Sequence, residues 1–200
     1  MILAGDWRSP YLWGLAIAAA ALGLWVSFSI LDSDLARERF RPPTPGADAT
    51  ALAWIRVFAL STFVFAPLDG GRLHWSPVVP PAGRVVAICG FAFGCWYTFR
   101  AMAANRFFSP VVRIQSERGH HVIDRGPYAT IRHPGYLGMA ILAPMAAIAL
   151  GSWWALVPAG AYSVMILRRA AIEDRFLNTN LSGYREYAER VKFRILPYVW

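Results

Sequence analysis

The chain has 200 residues, a formal net charge of +8, nine tryptophans and a hydrophobic fraction of 56%. This composition is typical of an integral membrane protein with tryptophans at the membrane interface. The basic residues flank the apolar runs, as in cytoplasmic loops near anionic lipid, so the charge favours membrane lipid and excludes nucleic acid as the partner. Cys89 and Cys95 lie in one apolar run without histidine or cysteine at metal-ligand spacing, and we expect no metal site.

Five apolar segments predict five membrane-spanning helices, at 10–31, 49–68, 82–104, 136–150 and 153–168. The first segment has about 22 residues, enough to cross a hydrocarbon core of roughly 30 Å. The last two come from one apolar run that is too long for a single ordinary span. Gly151-Ser152 divides this run, so we expect its halves to form a tight helical hairpin.

The expected fold class is therefore all-α, an integral membrane protein of about five transmembrane helices with the last two as a helical hairpin. We expect a single domain over 1–200. Within it, 1–104 supplies three N-terminal spans, and 105–200 carries the hairpin, the candidate site and a charged C-terminal tail from 169 onward.

The distribution of basic residues predicts the orientation. An N-terminus outside the cell places the loop 32–48, the stretch 105–134 and the tail on one face. That face then holds every basic residue except Arg8, Arg56, Arg72 and Arg84, as the positive-inside rule requires of the cytoplasmic side. We therefore expect a cytoplasmic C-terminus. Lys192 is the only lysine, and this arginine bias hints at a bacterial chain, hence at the inner membrane.

The polar stretch 105–136 is the first candidate site, because it combines three of the four histidines with five arginines. Pro134 keeps His133 out of the α region and is suited to start the next helix. The free amides of that helix's first turn, at Gly135 and Tyr136, would suit a carboxylate or a phosphate. A basic loop that only packs on lipid headgroups accounts for these residues equally well.

A second cluster lies where the last predicted span ends. Arg169 and Glu173 are four residues apart and share one helix face, on the same side of the membrane as His133. Such a pair is usually a solvated surface pair. Two charged clusters that converge at a water–lipid boundary would also suit a ligand carrying both an ammonium and a carboxylate.

The chain resembles the isoprenylcysteine carboxyl methyltransferase family over roughly 105–197. The positions that carry the resemblance are Gln115-Ser116-Glu117, His120 to Ile123, Gly126-Pro127-Tyr128, Arg132 to Tyr136, Gly138, Arg169, Glu173-Asp174, Leu177, Tyr184, Tyr187, Arg194 and Pro197. The N-terminal half matches in hydropathy, and its Asp-Leu-Ala-Arg segment at 34–37 resembles bacterial members of the family.

The resemblance implies an S-adenosylmethionine site at the cytoplasmic ends of the last helices. Arg169 would orient an acceptor carboxylate, and Glu173 would pair with the cofactor's ammonium group. Where other members carry a longer glutamate run, this chain has Ile172-Glu173-Asp174, so the role goes to Glu173 and not to Asp174. The implied cofactor-binding positions are Gln115, His120, His121, Val122, Ile123, Tyr128, His133, Pro134, Gly135, Tyr136 and Glu173.

Methyl transfer from a sulfonium depends mainly on positioning the nucleophile and excluding water. A carboxylate acceptor is already ionised at pH 7 and needs no general base. A thiol or an amine would need a proton acceptor, for which His133 is the leading candidate. A prenylcysteine-type carboxylate, a small thiol and a lipid amine all remain possible acceptors at this point.

Two other functional classes fit parts of the sequence. The C-terminal half also resembles membrane sterol reductases, which bind NADPH but have about twice as many spans. A non-enzymatic membrane protein of the same fold is the other alternative, although the site positions are filled. The sequence does not predict an oligomeric state.

Overall fold

The computed structural model describes residues 9–29 and 48–200. These ranges contain no strand, so the all-α prediction is confirmed for them. The loop predicted at 32–48 lies outside the described residues except for Asp48, and so does the segment 34–37. The helices of the described ranges are α1 Pro10–Ser29, α2 Ala49–Leu68, α3 Pro81–Ala104, α4 Pro134–Ala149, α5 Leu156–Asn180 and α6 Tyr184–Arg190.

A helix occupies each of the five predicted apolar segments. Within the described ranges, two helical stretches are long and apolar enough to cross a membrane by length and composition, namely Ala49–Leu73, which includes a π-helical turn after α2, and Pro81–Ala104. Pro134–Ala149 is a shorter apolar helix, as is the Pro10–Ala21 part of α1. The α4–α5 hairpin forms as expected, with its turn at Gly151, whose φ of +85° is the left-handed conformation that favours glycine.

The fifth helix differs from the prediction, because α5 does not stop at residue 168 but continues to Asn180. Neither glycine nor proline occurs between Gly160 and Gly183, so nothing in the sequence breaks the helix as it passes from apolar to charged residues. Arg169, Ala170 and Asp174 are buried on this extension. The first part of the predicted tail is therefore a rigid, partly buried helix that carries site residues.

A hydrogen bond from α5 to a carbonyl that a proline leaves free in α4 joins the two helices of the α4–α5 hairpin. Pro144 has no N–H, so the carbonyl of Ala140 loses its helical partner. The hydroxyl of Ser163 on α5 donates to this carbonyl at 2.7 Å. On its other side α4 packs closely on α3, since a Cβ at Gly138 would collide with Thr98. These contacts fix the start of α4, where His133 lies, relative to both neighbours.

The end of the bundle far from His133 is fastened by a buried acid. Asp69 is fully buried and accepts hydrogen bonds from the hydroxyls of Ser76 and Ser152, each at 2.5 Å. Ser76 follows α2, and Ser152 lies in the hairpin turn. This carboxylate therefore ties the connection after α2 to the α4–α5 hairpin, and it is fully satisfied there.

Candidate functional site

A cavity of about 240 Å³ lies between α2, α4, α5 and the polar stretch 105–133, close to the lower end of the roughly 300–1,000 Å³ typical of small-molecule sites. The two predicted clusters meet there, although the hairpin separates them in sequence. The predicted site residues that line it are His120, His121, Val122, Ile123, Tyr128, His133, Gly135, Tyr136, Arg169 and Glu173. Gln115 and Pro134 are not among the lining residues.

Gln115 fastens the polar stretch from inside. Its side chain is 1% exposed, its Nε2 donates to the carbonyl of Phe107 at 2.7 Å, and its Oε1 accepts from Arg118 at 2.6 Å. A short 3₁₀ turn follows and ends at Gly119 with a φ of +64°. Gln115 thus shapes the loop that carries His120, whereas Pro134 is buried as the first residue of α4.

His120 is a neutral hydrogen-bond donor in the cavity wall. Burial lowers the pKa of His120 to about 4, and the neighbouring charges of His121, Arg113 and Arg118 act in the same direction. Its Nδ1 accepts from the Gln115 N–H at 3.3 Å, so the proton of the neutral ring is on Nε2. The ring also packs on Phe107, with centroids 4.5 Å apart. An aromatic surface beside a fixed donor is suited to a heterocyclic base.

Tyr128 enters the cavity from a second short turn. Gly126 has a φ of +60°, and a 3₁₀ turn over Gly126–Ala129 presents the buried Tyr128. The hydroxyl of Tyr187, on α6, donates to the Tyr128 carbonyl at 2.8 Å. Burial raises the pKa of Tyr128, so its hydroxyl stays neutral at physiological pH. The C-terminal segment therefore holds this part of the wall in place.

Asp174 is a buried carboxylate that binds several residues of the cavity wall. Its Oδ1 accepts from Arg132 Nε at 2.8 Å, from His133 Nε2 at 3.1 Å and from the Tyr184 hydroxyl at 2.9 Å. Its Oδ2 accepts from Arg132 Nη2 at 3.2 Å and from Arg194 Nε at 2.9 Å. Burial alone would raise the pKa of Asp174, but the hydrogen bonds from His133 and Arg132 outweigh it and hold the pKa well below its usual range.

His133 is held from three sides. Its N–H donates to the Arg194 carbonyl at 2.8 Å, its ring bonds to Asp174, and Pro134 begins α4 directly after it. Because a carboxylate can only accept, Nε2 carries the proton in this contact. Any proton taken from a ligand would therefore have to go to Nδ1. The predicted free amides are reduced as well, since the Tyr136 N–H donates to the His133 carbonyl at 3.1 Å.

Glu173 brings a carboxylate into the cavity. The hydroxyl of Tyr136, on α4, donates to Oε2 of Glu173, on α5, at 2.5 Å. This hydrogen bond orients the carboxylate. Both residues line the cavity. A carboxylate fixed in this way is suited to receive an ammonium group.

Arg169 shares the cavity face with Glu173, as predicted, but its ion-pair partner is a different residue. Arg169 Nε lies 2.7 Å from Asp48 Oδ2, and its Nη2 donates to the carbonyl of Pro110. Both residues of the pair are 5% exposed. The interpretation of Arg169 and Glu173 as a solvated surface pair is therefore wrong, because Arg169 is buried.

The lining residues on α2 and on the part of α5 before Arg169 are apolar, and we call this side of the cavity the apolar arm. Leu52 and Ile55 on α2, Met139 on α4, and Tyr162 and Ile166 on α5 line this part. The same helices contain the apolar stretches of the bundle. The site thus joins a polar arm, with His120 and Glu173, to an apolar arm inside the helices, and Arg169 lines the cavity between the two sets.

Four important residues were missed or given no role by the sequence reasoning, namely Asp48, Arg132, Asp174 and Tyr184. Asp48 has a detectable signal, since an aspartate directly before an apolar helix is a candidate N-cap, but that signal predicts capping and not a partner on another helix. The role of Asp174 depends on Arg132 and Arg194, which are distant in sequence. No metal-binding group of three or more His, Cys, Asp or Glu occurs within 9–29 and 48–200.

Comparison with known proteins agrees with this geometry. Residues 86–179 match the model of the isoprenylcysteine carboxyl methyltransferase (ICMT) family. A probable protein-S-isoprenylcysteine O-methyltransferase of Oryza sativa subsp. indica is 34% identical over 95 residues, which cover 45% of this chain and 48% of that protein. Protein-S-isoprenylcysteine O-methyltransferase A of Arabidopsis thaliana is 33% identical over 95 residues, covering 45% and 47%.

The chain thus spans about half the length of the curated relatives it matches. The family match contains α4, most of α3 and α5, and the lining residues from His120 to Glu173, but neither Asp48 nor residues 180–200. Residues 86–179 of this chain are therefore similar to the isoprenylcysteine carboxyl methyltransferase family.

Proposed function

We propose that this protein is an S-adenosylmethionine-dependent methyltransferase of the membrane, which transfers a methyl group to a lipophilic or membrane-delivered acceptor. The observation that carries the proposal is the single cavity in which a polar arm and an apolar arm meet beside Arg169. The family match and the methyltransferase names of the relatives support the reaction class. They give no support to the reductase alternative.

The polar arm carries groups that would suit S-adenosylmethionine. Glu173, oriented by Tyr136, would hold the ammonium group. His120, with its Nε2–H and its packing on Phe107, would hold the adenosine together with His121, Val122 and Ile123. When bound, the cofactor supplies an electrophilic methyl group on a sulfonium. The residues of this chain orient the two reactants and keep water out, which is the main requirement of such a transfer.

The apolar arm favours an acceptor with a long hydrocarbon part. Leu52, Ile55, Met139, Tyr162 and Ile166 offer no charge to a ligand, whereas Arg169 would bind a carboxylate at the end of a lipid chain. A prenylcysteine-type carboxylate, as in the names of the relatives, fits both features and needs no general base.

A thiol or an amine acceptor requires proton removal, and the structure makes that role harder for His133. Asp174, which binds His133 Nε2, also binds the guanidiniums of Arg132 and Arg194. Because His133 Nε2–H already donates to this carboxylate, only Nδ1 is left to accept a proton from the acceptor. We therefore rank the carboxylate acceptor first.

We further propose that the chain crosses a bacterial inner membrane with its N-terminus outside and its C-terminus in the cytoplasm. The basic stretch 105–134 and the residues after α5 would then share the cytoplasmic face. This orientation places the polar arm where a soluble cofactor arrives and the apolar arm where a lipid arrives. Cysteine accessibility at each end of the chain, in intact cells and in inverted vesicles, tests it.

The decisive experiment is ligand binding by the purified protein in detergent. We expect isothermal titration calorimetry to detect S-adenosylmethionine and S-adenosylhomocysteine, but not NADPH. Transfer of a labelled methyl group would then be compared for N-acetyl-S-farnesylcysteine, a small alkanethiol and phosphatidylethanolamine. No response to either adenosyl ligand would refute the proposal, and a response to NADPH would favour the reductase.

A further inference from the structure

We infer that Asp48 is a positioning residue for Arg169, and that it fixes the guanidinium in the orientation that receives the acceptor carboxylate. The inference rests on the proposed function, because that function gives Arg169 its ligand. Asp48 lies outside the segment that matches the family, so the family match assigns it no role.

The first observation is that Asp48 does not do what its position predicts. Aspartate is a preferred N-cap because its side chain accepts a hydrogen bond from an amide of the first helical turn. Asp48 is the N-cap residue of α2, yet it makes no such bond. Its Oδ1 is instead 3.4 Å from the Val112 N–H, and its Oδ2 is 2.7 Å from Arg169 Nε. The carboxylate is turned away from its own helix and toward the cavity wall.

The second observation is the burial of the pair. A guanidinium that is 5% exposed is costly to bury without an opposite charge. Glu173, one turn further along α5, is bonded to the Tyr136 hydroxyl, whereas Asp48 lies in ion-pair contact with Arg169. Among the described residues, Asp48 therefore supplies the counter-charge in ion-pair contact with Arg169.

The third observation is that the contact is close but poorly aligned. Arg169 Nε and Asp48 Oδ2 are both buried side-chain atoms without a hydrogen-bond partner among the described residues. The contact between Asp48 and Arg169 is thus a close ion pair, whereas Arg132 and Asp174 are also hydrogen-bonded. Buried polar atoms without a hydrogen bond cost free energy, and a ligand that hydrogen-bonds to this pair would reduce that cost.

The location of the pair connects it to the acceptor. Asp48 begins α2, and Leu52, one helical turn later, lines the cavity. Arg169 Nη2 also donates to the Pro110 carbonyl, so the guanidinium is fixed between α2 and the polar stretch. The ion pair therefore closes α2 onto α5 where the apolar arm of the cavity begins.

The test compares Asp48→Asn and Asp48→Glu with Asp69→Asn, a control that removes a buried carboxylate at the far end of the bundle. Asp124→Asn, on an exposed loop, is a milder second control. With N-acetyl-S-farnesylcysteine as acceptor, we expect Asp48→Asn to raise the acceptor KM roughly tenfold to a hundredfold, because a small misplacement of an orienting group has effects of this size. The Kd of S-adenosylhomocysteine should stay within about twofold of the wild-type value, and Asp48→Glu should restore part of the loss. In an Arg169→Lys background, Asp48→Asn should add little, because contacting residues are not additive.

A second measurement does not depend on activity. Phenylglyoxal modifies accessible arginines, and mass spectrometry reports the labelling of Arg169 directly. We expect Arg169 to be labelled faster in Asp48→Asn than in the wild type, with no change in the controls. Unchanged labelling overturns the inference, and so does faster labelling with an unchanged acceptor KM. A wild-type protein that neither binds S-adenosylhomocysteine nor transfers methyl groups refutes the proposed function instead, and the labelling still decides whether Asp48 positions Arg169.

Discussion

Replacing Asp174 by asparagine removes one negative charge from the most highly connected carboxylate of the site. The carboxylate is 1% exposed and contacts Arg132, His133, Tyr184 and Arg194. Asparagine keeps the volume but puts an NH₂ group against donors that need an acceptor. Removing one partner of a buried ion pair costs about 3–5 kcal/mol. For a protein of this size that corresponds to a fall of roughly 6–20 °C in the thermal midpoint.

The assay is thermal unfolding in detergent, followed by far-ultraviolet circular dichroism, with Asp124→Asn as the matched control. Asp124 pairs with Arg190 at 2.9 Å, and these side chains are 56% and 63% exposed. An exposed ion pair contributes about 0–1 kcal/mol, so the control should unfold within about 4 °C of the wild type. If Asp174→Asn unfolds no earlier than Asp124→Asn, the buried network does not stabilise the fold as argued.

The same network predicts a pH dependence with a definite sign. The pKa of Asp174 is depressed in the folded protein, so its contribution to stability is present above the unfolded-state pKa of about 3.9. It is lost as the pH falls below that value toward the folded pKa. The difference in thermal midpoint between the wild type and Asp174→Asn should therefore be constant from pH 7 to pH 5 and should shrink below about pH 4. A difference that shrinks already between pH 7 and pH 6 would point to another group.

Three further predictions concern single side chains. Glu173→Ala and His133→Ala should each weaken S-adenosylhomocysteine binding at least about tenfold, or about 1.4 kcal/mol, in calorimetry; normal binding by Glu173→Ala would refute its role as the ammonium partner. Arg169→Ala should mainly lower turnover with N-acetyl-S-farnesylcysteine while it leaves cofactor affinity near the wild-type value. Ser163→Ala leaves the Ala140 carbonyl without its donor, so we expect a loss of about 1–3 kcal/mol in unfolding free energy, and an unchanged thermal midpoint would contradict this account of the hairpin.

The helices were predictable because their signals are local. Hydropathy fixed α2 at 49–68, and Pro134 fixed the start of α4. The resemblance then selected the cavity residues from His120 to Glu173, and ten of the twelve predicted site positions line one cavity. The extension of α5 was missed because the apolar run ends near residue 168, whereas a helix ends only where its backbone is interrupted.

The partners of the charged residues were not predictable from spacing. Arg169 and Glu173 share a helix face, which suggests that they pair, yet Arg169 lies against Asp48 and Glu173 bonds to Tyr136. Which acid pairs with which base is decided by burial and by how neighbouring helices meet. A periodic pattern contains neither quantity. Gln115 is a similar case. Its position in the motif suggests that it binds a ligand, but its side chain forms hydrogen bonds within the polar stretch and shapes the loop.

The segment 86–179, which matches the family model, does not contain all the partners of its buried charged residues. Within 86–179, Arg169 has its cavity position but not its counter-charge, which comes from Asp48 at the start of α2. Asp174 likewise lacks Tyr184 and Arg194, which follow α5 and complete the carboxylate's hydrogen bonds. Both charges are buried, so neither position would be stable if these outer partners were removed. The stability of this site therefore depends in part on residues outside the segment that matches the family model, and we expect variation at Asp48 to alter acceptor binding before it alters cofactor binding.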